Sequence, residues 1–285
     1  MSPEVALTYI NAAKSSAYTL ASQYSGGENQ GAYRVVNTDG TAAVLKLSRN
    51  PFWRKQIERA KAATDRLRPL GYPVPKYLYI DSMDTGTFWL ETEMPGLGNT
   101  MPTVEQTVHI LDLIDLQKGQ LLSELQGQDW SWYVMSTVFR GEGGLVRSLM
   151  KFSAETSALA ADIEGLVRGL DGHALGEGDM VHGDFGISQI LFSAQQVTAV
   201  LDWDQAGYGD RTMDLVGLWY SLMAQPDTRD VVYTRLLRDS NIESVKILAA
   251  YKMLAMIAWE VNKAGADPAG VIAQAKTAVG ILRAS

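Results

Sequence analysis

The chain contains no cysteine. Disulfides, thiolate zinc sites and a cysteine nucleophile are therefore excluded. Histidine is scarce, with three residues and no His-Glu-x-x-His pairing, which argues against catalytic zinc. No Gly-x-Ser-x-Gly elbow is present for a serine hydrolase. No run of about 18 or more apolar residues occurs, so no membrane span is expected. The first residues, "MSPEVALTYINAAK", carry Glu4 early and lack a basic start followed by an apolar core. They do not read as a secretory leader, and a cytoplasmic location is the simple expectation. Lysine and arginine (25) are outnumbered by acids (32), giving a net charge of −7 and a pI near 5.1. With no basic cluster to offset it, that balance repels phosphate backbones, so nucleic acid is not an expected partner, and neither is a membrane. It suits a cationic partner or substrate, though solubility alone explains it equally well.

What is present is ordinary globular composition, 46% hydrophobic and 20% charged, on a chain long enough for two lobes with real cores. Helical spacing covers residues 3–14 after a Ser-Pro start. The stretch "SGGENQG" (25–31) is a turn-rich break. The runs "AYRVVNT" and "AAVLKLS" flank Asp39-Gly40 and predict a hairpin. Residues 53–70 read as a helix closed by "GYPVP", and "KYLYID" with "DTGTFWLETEM" as a second hairpin. After "PGLGNT" the character changes. Helical pattern covers 104–125 and 146–170, "QDWSWYV" is an aromatic loop or short helix, and the chain is largely helical after Asp214. Two strands interrupt at about 189–192 and 197–201. The expectation is an α+β chain: a small β-rich N-terminal lobe over 1–94 and a larger helical lobe over 95–285 with an embedded hairpin.

The segment "VHGDFGISQILF" (181–192) puts Asp184 on a bend between Gly183 and Gly186. A carboxylate on a rigid bend beside strands is well placed to meet a substrate proton. Asp202 closes the next strand, in "VTAVLDWD". A hairpin would bring the two acids toward each other, and they would repel unless a cation lay between them. Magnesium suits, because it accepts a few carboxylate oxygens and leaves the rest to water and phosphate. An aspartate-rich metallohydrolase could use Asp184, Asp202, Asp204 and Asp210, but it would leave Lys46 and the two-lobe order unexplained.

"HGD" at 182–184, an amide five residues after the Asp, "LDWD" at 201–204 and "GDRTMDL" at 209–215 together resemble the aminoglycoside phosphotransferase family. That family has a protein-kinase-like fold and the pattern H-G-D-x-x-x-x-N, I-D-W-E/D, G-D-P-x-x-D-L. The resemblance implies a phosphotransferase that moves the γ-phosphoryl group of ATP or GTP to a hydroxyl of a small molecule, an aminoglycoside or related antibiotic. A small-metabolite kinase of the same fold is the alternative. Asp184 would orient the acceptor hydroxyl and receive its proton, and Asp202 would hold Mg2+ on the nucleotide phosphates. Lys46, in "AVLKLS", would grip the α- and β-phosphates, fixed by a helix glutamate, for which Glu58 is the expected residue. Backbone at Glu93 and Met94 would bond the base, and "SGGENQG" takes the place of the loop over the phosphates. Gln189 stands where the family has Asn. Either it ligates the metal with its longer arm, or that metal position is weakened and the protein binds nucleotide with little or no transfer. Arg211 replaces the family's Pro. His182 and Asp214 read as structural, the first holding the backbone of the Asp202 segment and the second bonding the catalytic loop.

Overall fold

The computed structural model describes residues 1–24, 31–98, 100–194 and 196–285. They divide into two compact units, one formed by 1–98 with 190–206 and the other by 99–189 with 207–285. The sequence reading places the division at 94 and assigns the 190–206 hairpin to the helical part. The structure instead packs that hairpin with the N-terminal unit.

In the first unit, α1 (Pro3–Lys14) starts at Ser2, whose hydroxyl accepts the Val5 N–H. A five-stranded antiparallel sheet follows, in the order β1-β2-β3-β5-β4. Its strands are β1 (Thr19–Gln23), β2 (Ala32–Val36), β3 (Ala42–Ser48), β4 (Tyr77–Met83) and β5 (Gly86–Thr92). The Asp39-Gly40 turn joins β2 to β3 as expected, with the Thr41 N–H donated to the Asp39 carboxylate. Period-2 alternation sorts the faces. Ala43, Leu45, Leu47, Phe88 and Leu90 bury against Ala6, Leu7 and Ile10 of α1. The intervening positions Lys46, Trp89 and Glu91 therefore share the opposite face. There α2 (Arg54–Leu67) packs against β4 and β5, burying Ile57, Ala60, Ala63, Thr64 and Leu67.

The hairpin β7 (Ile190–Phe192) and β8 (Val197–Val200) is tied to this unit by backbone. Leu97 and Phe192 exchange N–H···O bonds at 2.8 and 2.9 Å, and Val200 donates to the Pro73 carbonyl at 2.8 Å. Trp203, fully buried, meets Tyr72 edge-on with ring centroids 5.5 Å apart.

The second unit contains α3 (Val104–Asp115), α4 (Trp130–Arg140), α5 (Leu145–Phe152), α6 (Ala154–Val167), α7 (Thr212–Ser221), α8 (Pro226–Asp239), α9 (Ile242–Val261) and α10 (Ala269–Arg283). A short pair, β6 (Asp179–Val181) with β9 (Gly207–Gly209), lies in the same unit. The most apolar stretch of the sequence is α9, whose residues Val245, Leu248, Met253 and Ile257 are buried where it packs against α4, α5, α6 and α7. The expected helix over 146–170 breaks at Ser153, whose hydroxyl caps α6 through the Thr156 N–H at 3.1 Å. Among the described residues no helix is long and apolar enough to cross a membrane.

Candidate active site

Lys46 sits on β3 directly opposite Trp89 of β5, and Val44 is opposite Glu91. The diagonal neighbour on that face is Glu91, within reach of a long side chain. Lys46 Nζ lies 2.9 Å from Glu91 Oε1 and 2.5 Å from Asp202 Oδ1. Glu91 is almost fully buried, whereas Asp202 is half exposed. Burial opposes the charge on Lys46, but Glu91 and Asp202 together outweigh it and hold the ammonium well above its usual pKa. Burial pushes the Glu91 carboxyl up, against the pull of Lys46. Tyr77, opposite Glu91 on β4, has its hydroxyl pushed up by burial and by the same carboxylate.

The expected Lys46–Glu58 pair is not formed. Glu58 lies beside the buried stripe of α2, facing outward, and its carboxylate takes the Arg54 guanidinium four residues earlier at 2.9 Å. Sheet register, which the sequence does not display, gives Lys46 its partner from β5. Met94 follows β5, as does Glu93, whose carboxylate accepts the Tyr24 hydroxyl at 2.5 Å and the Arg34 Nε–H at 2.7 Å. Arg34, and to a smaller degree Tyr24, hold Glu93 below the usual carboxylate range despite partial burial. The expected phosphate loop falls largely on 25–30, outside the described residues.

Asp202 takes the left-handed backbone conformation, φ 57°, at the end of β8. Such a turn is uncommon for a non-glycine residue. It directs the carboxylate to Lys46 in the same unit.

In the second unit, the segment 182–189 is held by one face of α7. Asp214, Gly217 and Ser221 are three and four residues apart, the spacing that lines up side chains on a helix. Asp214, fully buried, accepts the His182 N–H at 2.7 Å and the Gly183 N–H at 3.1 Å. The Gln117 side chain donates to it as well, at 2.7 Å. Burial raises the Asp214 carboxyl, opposed by His182 and these hydrogen bonds. A Cβ on Gly217 would lie 2.3 Å from the Phe185 carbonyl, so only glycine admits the loop there. The Ile187 N–H donates to the Ser221 hydroxyl at 3.3 Å. His182 is fully buried, edge-on to Phe185, and its Nδ1 accepts the Asp184 N–H at 3.3 Å.

This anchoring leaves the Asp184 side chain about half exposed. Its Oδ2 has the Gln189 amide nitrogen at 3.5 Å, and its Oδ1 has Lys252 Nζ of α9 at 3.3 Å. Lys252 escaped the sequence reading, since a lysine in a long helix carries no motif. Arg211 pairs with Asp115 of α3 at 2.9 Å, with Asp179 of β6 further off at 3.7 Å. The charge therefore joins three elements where the family's Pro would join none.

Asp202 belongs to the first unit, and Asp184 and Gln189 to the second. A carboxylate and an amide oxygen are each hard donors of the kind a divalent cation takes. Among the described residues no group of three or more His, Asp or Glu side chains is arranged to hold a metal ion.

A sequence profile of the phosphotransferase enzyme family matches residues 21–246. Comparison with curated protein sequences finds no match. Among solved structures, a thermostable mutant of aminoglycoside phosphotransferase APH(4)-Ia, in ternary complex with AMP-PNP and hygromycin B, aligns with TM-score 0.70 at 16% identity, over 97% of this chain and 96% of that one. Amicoumacin kinase hAmiN, in complex with AMP-PNP, Ca2+ and Ami, aligns with TM-score 0.64 at 12% identity, over 98% and 96%. Macrolide 2'-phosphotransferase MphH from Brachybacterium faecium aligns with TM-score 0.60 at 16% identity, over 95% and 97%. At these identities the likeness is one of fold. The profile covers most of the chain, and with this α+β, protein-kinase-like fold the chain belongs to the phosphotransferase enzyme family.

Proposed function

We propose that the protein transfers the γ-phosphoryl group of a nucleoside triphosphate, ATP or GTP, to a hydroxyl of a small molecule. The observation that carries this reading is the Lys46 ammonium, fixed between Glu91 and Asp202 at 2.9 and 2.5 Å. A cation so held is preorganised for the α- and β-phosphates and needs no rearrangement as charge develops. Asp184 is the acceptor's base, exposed on a loop whose backbone is pinned by Asp214. A bond forms between the acceptor oxygen and the γ-phosphorus while the bond to the β–γ bridging oxygen breaks. The hydroxyl proton passes to Asp184, and the nucleoside diphosphate leaves. Asp202 and Gln189 are assigned as the protein's magnesium ligands, and bound Mg2+ would neutralise phosphate charge. Backbone at Glu93 and Met94 is assigned to the nucleobase.

The acceptor is assigned as an aminoglycoside or related antibiotic. Asp230 pairs with Arg229 at 2.8 Å and Glu260 with Lys263 at 2.8 Å. Trp130, Tyr133 and Tyr251 make mutual edge-on contacts in the same unit as Asp184, with centroids 5.6–6.2 Å apart. Such a cluster suits an acceptor with an apolar ring face.

A second reading, nucleotide binding with slow or no transfer, is favoured by Gln189, whose amide nitrogen faces Asp184 at 3.5 Å. The test is incubation with ATP or GTP, Mg2+ and a panel of hydroxylated antibiotics and metabolites, followed by mass spectrometry. A gain of one phosphoryl group on an acceptor, abolished by Asp184→Ala, supports transfer. Tight nucleotide binding without product, converted to turnover by Gln189→Asn, supports the second reading.

A further inference from the structure

Lys252 lies on α9, which packs against α4, α5, α6 and α7, and its side chain is only 16% exposed. The residues three and four positions earlier on its face of the helix, Ala249 and Leu248, are buried, so the stem is guided by packing rather than free to sweep through solvent. Its ammonium reaches Asp184 Oδ1 at 3.3 Å, and among the described residues Asp184 is the acid it pairs with. The Gln189 amide stands 3.5 Å from the other oxygen, Oδ2. The two oxygens of one exposed carboxylate thus face donors from two different elements. An exposed ion pair between two flexible side chains would contribute little. Here the lysine's conformational freedom is already restricted by folding, so the contact can fix the Asp184 rotamer at small further entropic cost.

We propose that Lys252 is a positioning residue for phosphoryl transfer: from α9 it holds the Asp184 carboxylate in the orientation that meets the acceptor hydroxyl. The proposal rests on the reading of Asp184 as the base. Lys252 acts through Asp184 and contributes nothing once that carboxylate is gone.

Two measurements test it on the full chain. The first is phosphoryl transfer to water, read as inorganic phosphate released from ATP with Mg2+, for Lys252→Met, Lys252→Arg, Asp184→Ala and the Asp184→Ala/Lys252→Met double variant. A misplaced base costs rate rather than nucleotide binding, so Lys252→Met should lower kcat about 10- to 100-fold with the KM for ATP within about twofold. Lys252→Arg should recover most of the loss, and Lys252→Met should cost nothing more in the Asp184→Ala background. An unchanged kcat for Lys252→Met, or an equal loss in both backgrounds, overturns the proposal. Wild-type turnover by Asp184→Ala would sink the reading of Asp184 instead. The second measurement needs no turnover: the rate at which an amine-reactive reagent labels Lys252, referenced to exposed Lys55 and read by mass spectrometry. Asp184→Asn should release the ammonium and speed labelling about threefold or more. Equal labelling in both proteins would show that the pair is not held in solution, and would overturn the proposal.

Discussion

Asp214 on α7 accepts the backbone N–H of His182 at 2.7 Å, and by this contact a helix fixes the loop that presents Asp184. The same carboxylate accepts the Gly183 N–H through Oδ1, while Oδ2 serves both His182 and Gln117. Each oxygen therefore faces at least one donor. Asparagine matches the shape but must turn an NH2 toward one of those donors. Asp214→Asn is expected to lower unfolding stability by about 2–4 kcal/mol, since buried donors lose their acceptor. Urea denaturation measures it. A loss below about 0.5 kcal/mol would mean the loop does not depend on this contact.

Removing Lys46 leaves the buried Glu91 carboxylate without its cation. Lys46→Met should destabilise by about 3–5 kcal/mol, and nucleotide affinity should fall with it. Lys46→Met/Glu91→Leu removes both charges and should regain most of the stability while nucleotide affinity stays low. Denaturation and nucleotide titration on both variants separate the two roles. A double variant that recovered affinity would show that Lys46 does not meet the phosphates.

How much of this was legible in the sequence follows from where each signal resides. The Asp39-Gly40 turn and alternating apolar residues predicted the β2–β3 hairpin because they are local. The block from His182 to Leu215 was legible because its residue types and spacing recur in a family. Glu91 was not, because its partnership with Lys46 depends on strand register across distant sequence. Helix charge placed Glu58 in the role, but its position on α2 gave it to Arg54. Strand β1 is exposed along its whole length, so it showed no alternation to find. The expected helix over 104–125 ends at Asp115, before the left-handed turn at Gly119. Asp214, Gly217 and Ser221 carried a readable signal, one helix face of an acceptor, a gap and a hydroxyl, which becomes informative only once the loop it serves is known.

Gly217 reverses an ordinary expectation. In a helix interior, Gly→Ala normally stabilises by about 1 kcal/mol. Here the new methyl carbon would lie 2.3 Å from the Phe185 carbonyl oxygen, so α7 or the loop must move. Gly217→Ala should instead destabilise by about 1–3 kcal/mol and reduce turnover, because displacement of Phe185 is passed to its neighbour Asp184. Thermal unfolding and the transfer assay check both parts. A raised melting temperature with full turnover would contradict the close approach.

The first unit carries a pH dependence at Glu93. Arg34, by its hydrogen bond, and Tyr24 keep the Glu93 carboxyl below its usual range. A carboxyl whose folded pKa is depressed adds stability that is fully present above the unfolded value, about 4.3. That stability is lost as pH falls through the lower, folded value. Glu93→Gln should therefore lower the melting temperature at pH 7 by a few degrees at most, matching an exposed pair of about 1 kcal/mol or less. Wild type and variant should converge in acid, where both side chains are neutral. High salt should shrink the pH 7 difference, because the pair is partly solvated. Melting curves at pH 7 and in acid, at low and high ionic strength, provide the check. A difference that persisted unchanged in acid would show that Glu93 contributes through packing rather than charge.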